Sequence, residues 1–592
     1  ALFTSPETAD VQGQNRLNYL RGDRSLEAGS SVTLSDGTVI AGTFRKRGSK
    51  LGDIVNSGIT YVGAPTKAIG GSSYASFYSD NLSRVPTLYV GANDGMLHAF
   101  NANTGAELFA YIPSWMVPNL KELTSSSYTH RSYVDATPVV NEANLGSTSS
   151  ADWRTVLVGG TGGGGQGVYA LDVTDPTAFA SSTGNNKILW EFTDRHDVDM
   201  GNVIGRPQIL KLNIAAGGTT PDYRYFAVVA SGVNNHAADG NASTTGQPAL
   251  FFLRLDKAKA TAWQLGSNYF KVKFPVITSD SSLPSGLANF TVRLGNAGEV
   301  TYLYAGDLQG NLWKLDFQAT SADSWSLDNL SFFTNGGSAV PMFIATDGAT
   351  PPNRQPITMP PALTFGPNRG IIVSIGTGRY LAAADNVAPF KVQSMYSVFD
   401  NNYRTLDSTN SPTAAISGRG RLQAGTVTPT SITVSSFTWG RPGADTDTAS
   451  RSGWYFDFHN SATTSTVTGT GERQISALGV LAGRMIFGSV IPGVTSCDNG
   501  SGKLYSVDTL SGNGSATVSD VGILGEPFLA RVGFSTLYVS DPTGSRDEVT
   551  RYQFIKQGSS GLGTQASQTI RNTGGRLSWR EISNYQDLRN AN

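Results

Sequence analysis

A short pattern that returns along the whole chain is the strongest constraint on its fold. An apolar strand is followed by a glycine-containing turn, a second strand that ends in Leu or an aromatic residue beside Asp, and a polar turn. The clearest copies are PTLYVGANDGMLHAFNANTGAELFAYIP at Pro86 to Pro113 and TYLYAGDLQGNLWKLDF at Thr301 to Phe317. Aromatic and β-branched runs between Gly, Asn and Asp are typical of strands and turns. The repetition therefore predicts a series of small sheets built alike.

Seven copies of the pattern are present, and the last is the weakest. They begin near Tyr89, Val158, Val229, Tyr304, Val373, Phe487 and Tyr538. A single small sheet cannot bury both of its faces, whereas sheets stacked radially bury each other. We therefore predict an all-β fold, an irregular seven-bladed β-propeller with long inserted loops. An open array of sandwiches is the alternative, but it gives no reason for near-identical repeats.

The first residues of the chain differ from the repeats. They are polar and contain RGDRSLEAG and the basic run FRKRGSK. We expect residues 1–60 to form a lead-in segment whose last strand, in ITYVGAP at Ile59 to Pro65, enters a propeller that occupies residues 61–592. SWMVPNLKELTS, at Ser114 to Ser125, predicts one short helix.

Charge and composition exclude several classes of partner. The chain has 44 Lys and Arg residues against 45 Asp and Glu residues. This balance gives no electrostatic reason to expect nucleic acid or an anionic membrane as the main partner. No apolar run is long enough for a transmembrane helix. Since Ala1 is neither an initiator methionine nor the start of a signal peptide, we expect the sequence to be a fragment of a longer protein.

The motifs of common enzymes are missing from the sequence. The segment GTGGGGQG at Gly160 to Gly167 resembles a phosphate loop but lacks the Lys and Ser/Thr that should follow, so we expect a turn between two blade strands. The five histidines show no HxH or HxxxH spacing, and His98 lies in a repeat strand, which favours a structural role. Cys497 is the sole cysteine and cannot form an internal disulfide. We predict no catalytic residues and no cofactor.

Acidic clusters leave one question open. Asp194, Asp197 and Asp199 in TDRHDVDMGN could bind a hard cation through their oxygens, or could form a solvated loop at the end of a strand. Asp445 and Asp447 allow the same two interpretations. The loop interpretation is favoured for both clusters, because the sequence does not show that the carboxylates converge on one point.

An ordered set of segments resembles a known family. These segments are NYLRGDRS, KLGDIVNSGITYVGAP, LYVGANDGMLHAFNANTG, WRTVLVGGTGGGGQGVYALDVTDP, LWEF, IGRPQI, YAGDLQGNLWKLDF, GWYFDF, GERQIS and GRLSWREI. In this order they are similar to the C-terminal domain of the PilC/PilY family of type IV pilus proteins. The resemblance implies an exported protein of the pilus tip or outer membrane. Such a protein primes pilus assembly, opposes retraction and helps surface adhesion and twitching motility. Its expected partners are minor pilins and a host receptor or abiotic surface.

The resemblance also bears on two candidate sites. It includes an RGD at Arg21, Gly22 and Asp23, an arrangement that integrins recognise, so these residues are candidate receptor-binding residues. Many relatives carry a calcium loop before the strand that reads YAGDLQGN. Its ligand positions fall here on Arg293, Gly295, Ala297 and Thr301, which offer no carboxylate. We therefore predict a plain turn without metal, with Asn296 and Glu299 out of phase with the ligand spacing.

Two other functions remain as alternatives. Quinoprotein dehydrogenases are propellers with a similar strand-and-turn pattern, but they usually need adjacent cysteines, and the Trp that closes their repeat is Phe109 in the first copy. A passive secreted scaffold is the other alternative.

Overall fold

Strands dominate the part of the chain that can be described. The computed structural model describes residues 9–33, 35–65, 71–147, 150–181, 183–237, 240–277, 284–367, 370–401, 416–440, 449–458, 469–481, 483–493, 500–525, 528–538, 546–558, 561–564 and 568–574. The chain divides into two compact units. The first has the bounds 1–363, 401–421 and 441–449, and the second has the bounds 364–400, 422–440 and 450–592.

The first unit begins with the lead-in segment. Within residues 1–60 the elements are α1 (Ala9–Leu20) and the hairpin β1 (Ser31–Thr33) and β2 (Val39–Ala41), and α2 (Ser72–Asp80) lies beyond them, after the first strand of the repeats. That first strand, β3 (Thr60–Val62), lies within ITYVGAP as predicted. The helix predicted at Ser114 to Ser125 is present as a 3₁₀ helix at Ser114–Thr124. Helices α1 and α2 were not predicted from the sequence.

Four antiparallel sheets follow one another in the first unit. Sheet 1 contains β3, β4 (Thr87–Ala92), β5 (Met96–Asn101) and β6 (Glu107–Tyr111), and sheet 2 contains β7 (Val139–Asn144), β8 (Trp153–Gly160), β9 (Gly167–Asp172) and β10 (Ile188–Thr193). Sheet 3 contains β11 (Gln208–Asn213), β12 (Tyr223–Ala230), β14 (Ala249–Arg254) and β15 (Tyr269–Lys273). Sheet 4 contains β13 (Gly232–Val233), β16 (Gly286–Leu294), β17 (Val300–Asp307), β18 (Asn311–Asp316), β21 (Phe343–Ile344) and, paired in parallel to β21, β25 (Ile416–Ser417).

Short elements connect these sheets. They are the 3₁₀ helices Gly162–Gly164, Pro176–Ala180, Gly184–Lys187 and Ala322–Ser324, the helix α3 (Leu327–Leu330), and the paired strands β19 (Thr334–Asn335) and β20 (Ser338–Ala339). The strand β22 (Ala362–Phe365) lies at the boundary between the units.

Hydrophobic cores of the first unit lie between consecutive sheets. One joins Tyr89 and Leu97 of sheet 1 to Leu157 and Tyr169 of sheet 2, the next joins Val158 and Phe192 of sheet 2 to Val229 and Phe251 of sheet 3, and a third joins Phe226 and Phe252 of sheet 3 to Leu303 and Trp313 of sheet 4. Strands β9 and β18 are buried at every position, because both faces of their sheets are covered. This is the stacking that the repeats predicted.

A buried carboxylate fixes the tight turn in sheet 4. Asp307 accepts the backbone N–H groups of Gln309 and Asn311, each at 2.9 Å, and the indole N–H of Trp313 at 3.0 Å. Gly310 has φ +80°, which favours glycine. Burial raises the pKa of Asp307 although these donors favour the charged form. The turn residues of YAGDLQGN therefore serve the strand-to-strand connection.

The second unit carries one extended sheet. Its strands are β23 (Ile371–Gly376), β24 (Ser394–Asp400), β26 (Gln423–Val427), β27 (Ser431–Val434), β28 (Gly453–Asp457), β29 (Arg473–Gln474), β30 (Gly479–Leu481), β31 (Arg484–Val490), β32 (Lys503–Asp508) and β33 (Gly514–Val518). All neighbours are antiparallel except β26 and β28. A 3₁₀ helix covers Ala383–Asn386. The core of this unit includes Trp454, Phe456, Phe487 and Tyr505.

A separate sheet at the end of the chain contains the seventh repeat. It consists of β34 (Phe528–Tyr538), β35 (Arg546–Gly558), β36 (Gly561–Thr564) and β37 (Gln568–Gly574), and β35 pairs with the other three. Tyr538 is the last residue of β34. In the described ranges no helix has the length and hydrophobicity that crossing a bilayer requires.

The glycine-rich segment Gly160 to Gly167 connects β8 to β9, as predicted. Gly164 packs so closely that a Cβ atom would lie 1.9 Å from the backbone oxygen of Tyr133. Gly163, one residue earlier, would meet only the Ser132 side chain, at 3.4 Å. Glycine at 164 is therefore required by packing and glycine at 163 is not.

We predict that Gly164→Ala lowers the free energy of unfolding by about 1–3 kcal/mol, because the backbone at residue 164 and at Tyr133 must move apart to admit the methyl group. Urea unfolding followed by tryptophan fluorescence measures this change. Gly163→Ala is the matched control in the same turn and should leave the midpoint nearly unchanged. Equal midpoints for the two variants would contradict the packing argument.

Candidate functional site

The RGD tripeptide forms the C-terminal cap of α1. After Leu20, the N–H of Gly22 donates to the carbonyl of Tyr19 and the N–H of Asp23 donates to the carbonyl of Asn18, each at 2.9 Å. Gly22 has φ +101°. This pair of bonds around a left-handed glycine is a Schellman motif, which ends a helix and satisfies its last carbonyls.

The two charged side chains of the tripeptide face solvent. Arg21 and Asp23 are both exposed. One oxygen of Asp23 accepts the N–H of Ser25 at 2.8 Å, and this bond holds the pKa of the carboxyl below its ordinary value. The side chains of Arg21 and Asp23 are therefore exposed, as receptor binding requires. The backbone of the turn is held in place by the hydrogen bonds of Gly22 and Asp23.

A buried arginine holds the turn in place through hydrogen bonds to its backbone. The Nη2 group of Arg47 donates to the carbonyl of Asp23 at 2.8 Å, and its Nη1 group donates to the carbonyl of Tyr19 at 2.7 Å. Its Nε group pairs with the carboxylate of Glu27 at 2.7 Å. The guanidinium also lies 3.6 Å from the ring centroid of Tyr19. Burial works against ionisation of Glu27, but the hydrogen bonds from Arg47 outweigh it and lower the pKa.

Beside this turn lies a half-open cleft of about 200 Å³. The run Arg45 to Lys50 forms one wall, and residues from the turn of sheet 1 and from the loop after the 3₁₀ helix Ser114–Thr124 form the other. The lining residues are Tyr19, Leu20, Arg45, Lys46, Arg47, Gly48, Ser49, Lys50, Leu51, Gly52, Asp53, Asn93, Asp94, Leu123, Tyr128 and His130. We call this space the N-terminal cleft.

Cations dominate the N-terminal cleft. The guanidinium of Arg45 lies 4.2 Å from the ring centroid of Tyr128 and donates through Nε to the carbonyl of Leu123 at 3.0 Å, so its plane is fixed. Lys46 and Lys50 are exposed. Within the described residues, none of these three cations forms an ion pair with a carboxylate, in contrast to Arg47.

The two carboxylates of the cleft are engaged elsewhere. Asp53 accepts the side-chain amide of Asn93 at 3.0 Å and pairs with His130 at 2.8 Å. Asp94 accepts the N–H of Gly52 at 2.8 Å and contacts the ring of His98 at 3.1 Å. The lining therefore carries the four cations Arg45, Lys46, Arg47 and Lys50 against these two carboxylates, and Lys50 also interacts electrostatically with the carboxylate of Asp23 just outside the lining.

His98 bridges two carboxylates in sheet 1. Its Nδ1 lies 2.6 Å from Glu107 and its Nε2 lies 3.1 Å from Asp94. Burial of the ring disfavours the imidazolium, but both carboxylates favour it more strongly, so the pKa of His98 is raised above its ordinary value of 6.5. This geometry gives His98 the structural role expected from the sequence.

We predict that this bridge stabilises the protein in a pH-dependent way. Because the folded pKa is raised, the stabilisation is complete below pH 6.5 and is lost as the pH rises through the folded value. The difference in unfolding free energy between the wild type and His98→Gln should therefore shrink with rising pH. His236→Gln, the same substitution at an exposed histidine outside sheet 1, is the reference against which the pH trend of His98→Gln is compared. A difference that grows with pH would refute the bridge.

The acidic loop after β10 is an ion-paired structure. Lys271 lies 2.9 Å from Asp197 and 2.7 Å from Asp199, and Lys273 lies 3.1 Å from Asp199. Asp194 instead accepts the side-chain amide of Asn241 at 2.9 Å. The ammonium of Lys271 thus occupies the place between two carboxylates where a metal cation would bind. The loop does follow a strand, as expected, but it is not the solvated loop that the sequence suggested, because the side chains of Asp197 and Asp199 are buried in these ion pairs.

The segment at the family's calcium-loop position is the turn between β16 and β17. Gly295 donates its N–H to the carbonyl of Glu299 at 2.7 Å, and the Glu299 carboxylate accepts the N–H of Ala297 at 2.9 Å. The hydroxyl of Thr301 donates to the carbonyl of Arg293 at 2.9 Å. One carboxylate oxygen of Glu299 and the hydroxyl hydrogen of Thr301 are thus bonded within the turn, and the absence of metal binding here stays a prediction.

We predict that calcium and its removal by EDTA do not affect this turn. The melting temperature of the wild type should respond to calcium in the same way as that of Asn296→Ala/Glu299→Ala. Differential scanning calorimetry with and without calcium measures both proteins, and magnesium controls for ionic strength. A calcium-dependent rise in melting temperature that only the wild type shows would prove the prediction wrong.

Other candidate groups are dispersed or not covered. In the portion of the chain that the structure describes, no three His, Cys, Asp or Glu side chains are placed to hold a metal together. Cys497, Asp445, Asp447, His459 and the segment GRLSWREI at 575–582 lie outside the described residues. The prediction of no catalytic residue is therefore not tested by the structure.

Sequence reasoning found the RGD and the basic run but not the cleft that they border. The opposite wall comes from Tyr128 and His130, about 80 residues away along the chain. No local signal connects such positions. The proximity of Gly22 to the Lys50 side chain, 3.1 Å from a Cβ placed on the glycine, likewise needs the folded chain.

Consecutive small sheets with buried inter-sheet cores define the class of protein as an all-β propeller, and comparisons with known proteins specify it further. The family profile described as the PilY1 beta-propeller domain matches residues 51–435, well over half of the chain. The chain therefore belongs to the PilC/PilY family. The propeller prediction is confirmed, whereas the number of seven blades stays a prediction.

Individual relatives agree with this assignment. The chain is 32% identical over 530 residues to the type IV pilus biogenesis factor PilY1 homolog of Xylella fastidiosa, covering 85% of this chain and 32% of that protein. It is 32% identical over 548 residues to PilY1 of Pseudomonas aeruginosa strain PAK, covering 86% of this chain and 41% of that protein. The chain thus spans well under half of these curated relatives. The crystal structure of the P. aeruginosa PilY1 C-terminal domain superposes with a TM-score of 0.56 at 24% identity, over 83% of this chain and 95% of that one, which shows a shared fold.

Proposed function

We propose that this chain is the propeller portion of a type IV pilus biogenesis factor that acts without catalysis, by binding other proteins. The observation that carries the proposal is the family match over residues 51–435 together with relatives named as pilus biogenesis factors. Within this proposal, residues 1–60 are the lead-in segment and residues 61–592 form the modified propeller.

The finer roles are retraction control and adhesion at the pilus tip. We infer minor pilins as the partners within the pilus, and an exported location at the tip or the outer membrane. The exposed, capped RGD at Arg21 to Asp23 supports a receptor-binding role, because both charged groups reach solvent. A host receptor such as an integrin or an abiotic surface is the proposed external partner.

Deleting this segment in its host tests the assembly role. We expect the number of surface pili, counted by electron microscopy, to fall sharply. A parallel deletion in a retraction-deficient strain separates the two roles: pili that return there indicate retraction control, and pili that stay absent indicate priming. Unchanged piliation in both strains would overturn the proposal.

A conservative substitution tests the adhesive role. Asp23→Glu adds one methylene and displaces the carboxylate while it keeps the charge and the helix cap. We expect a loss of cell binding with normal piliation. Asp36→Glu is the matched control, because Asp36 is an exposed aspartate outside the RGD that likewise accepts the N–H of the residue two positions later, at 2.9 Å. If Asp23→Glu leaves cell binding unchanged, the RGD tripeptide has no role in adhesion.

A further inference from the structure

We infer that the N-terminal cleft binds a protein segment in which an acidic side chain stands next to an apolar one. This inference names the chemistry of a partner and extends the proposed assembly function. The cleft lies wholly within the first unit, and its lining belongs to one continuous part of the structure.

The first step of the argument is the charge of the cleft. Arg45 and Lys46 line the cleft and form no ion pair with a carboxylate among the described residues, whereas Lys50, which also lines it, has the carboxylate of Asp23 close enough to interact electrostatically. Positive groups that line one cleft repel each other. Their neighbour Arg47, in contrast, is fully used by Glu27 and two carbonyl groups. A carboxylate from outside would relieve the repulsion in the cleft.

The second step is preorganisation. Stacking on Tyr128 and the bond to Leu123 hold the Arg45 guanidinium in one plane. A guanidinium fixed in this way loses little side-chain entropy when it receives a carboxylate, and its planar fork matches the two carboxylate oxygens. The carboxylates that could compete from inside, those of Asp53 and Asp94, are held by Asn93, His130, Gly52 and His98.

The third step distinguishes a protein segment from a small anion. Exposed apolar side chains follow the basic run in the sequence. Leu51 lines the cleft and is 37% exposed, and Ile54 and Val55, which come next along the chain, are 41% and 60% exposed. A phosphate or a sulfated sugar makes no use of such a surface. A peptide with a leucine beside its glutamate would pack on Leu51, and exposed apolar groups beside charge are typical of protein contact sites.

Fluorescence anisotropy with the full chain tests the inference. The probe is a fluorescein-labelled peptide of alternating Glu and Leu, and two matched peptides replace either every Glu by Gln or every Leu by Ser. We expect binding of the Glu–Leu peptide to weaken about tenfold in Lys46→Gln/Lys50→Gln and with the Gln peptide, since each removes charge-assisted contacts. Added salt should weaken binding to the wild type more than to the double variant.

Lys121→Gln/Lys391→Gln is the matched control, because it removes the same charge from two exposed lysines that do not line the cleft. Equal affinity of the wild type and Lys46→Gln/Lys50→Gln would overturn the inference. It would also fall if the Glu–Leu peptide failed to bind the wild type. The inference would also be overturned if the peptide with Ser in place of Leu bound as tightly as the Glu–Leu peptide and inorganic phosphate displaced that Ser peptide. The cleft would then be an anion site without preference for protein. If deletion of the segment abolishes pili and any of these results is also obtained, the proposed assembly function remains supported and only the inference about the cleft is overturned.

Discussion

Burial of apolar side chains between consecutive sheets is the constraint on which the rest of the first unit depends. An apolar sheet face is covered here because a neighbouring sheet packs on it. Leu97 and Leu157 belong to the core between sheets 1 and 2, the ring centroids of Phe192 and Phe251 lie 5.4 Å apart between sheets 2 and 3, and Phe252 and Trp313 belong to the core between sheets 3 and 4. Sheets that share cores in this way stabilise one another, as neighbouring repeats do in other repetitive folds. The turns, such as that at Asp307, then need only to hold register.

The repeats could be predicted because their signals are local. In the hairpin β4–β5, strand-forming residues and the ANDG turn lie within one short stretch, and the structure pairs Val90 with His98 as that turn requires. The helix α1 could not be predicted, since its sequence is polar and contains Gly13. It is held by tertiary contacts instead: the hydroxyl of Tyr19 donates to the distant carbonyl of Leu123 at 3.2 Å.

The same division explains the candidate site. A tripeptide such as Arg21 to Asp23 can be recognised in a sequence, but its role as a helix cap depends on Arg47, which reaches it across 24 residues. The acidic loop was ambiguous because the carboxylates of Asp197 and Asp199 are visible in the sequence, while the lysine that neutralises them, Lys271, arrives from another strand. A cluster of like charges in a sequence therefore does not show which distant residues neutralise it in the fold.

The cap at the end of α1 has a consequence for recognition. A loop that displays Arg and Asp must lose chain entropy when a receptor closes around it, whereas here the hydrogen bonds at Gly22 and the anchor at Arg47 have ordered the backbone beforehand. A receptor whose site matches this single spacing of guanidinium and carboxylate gains affinity, and one that requires an extended tripeptide must first unwind the helix end. For a receptor of the proposed kind, the folded turn would thus decide which binding geometries are compatible before contact is made.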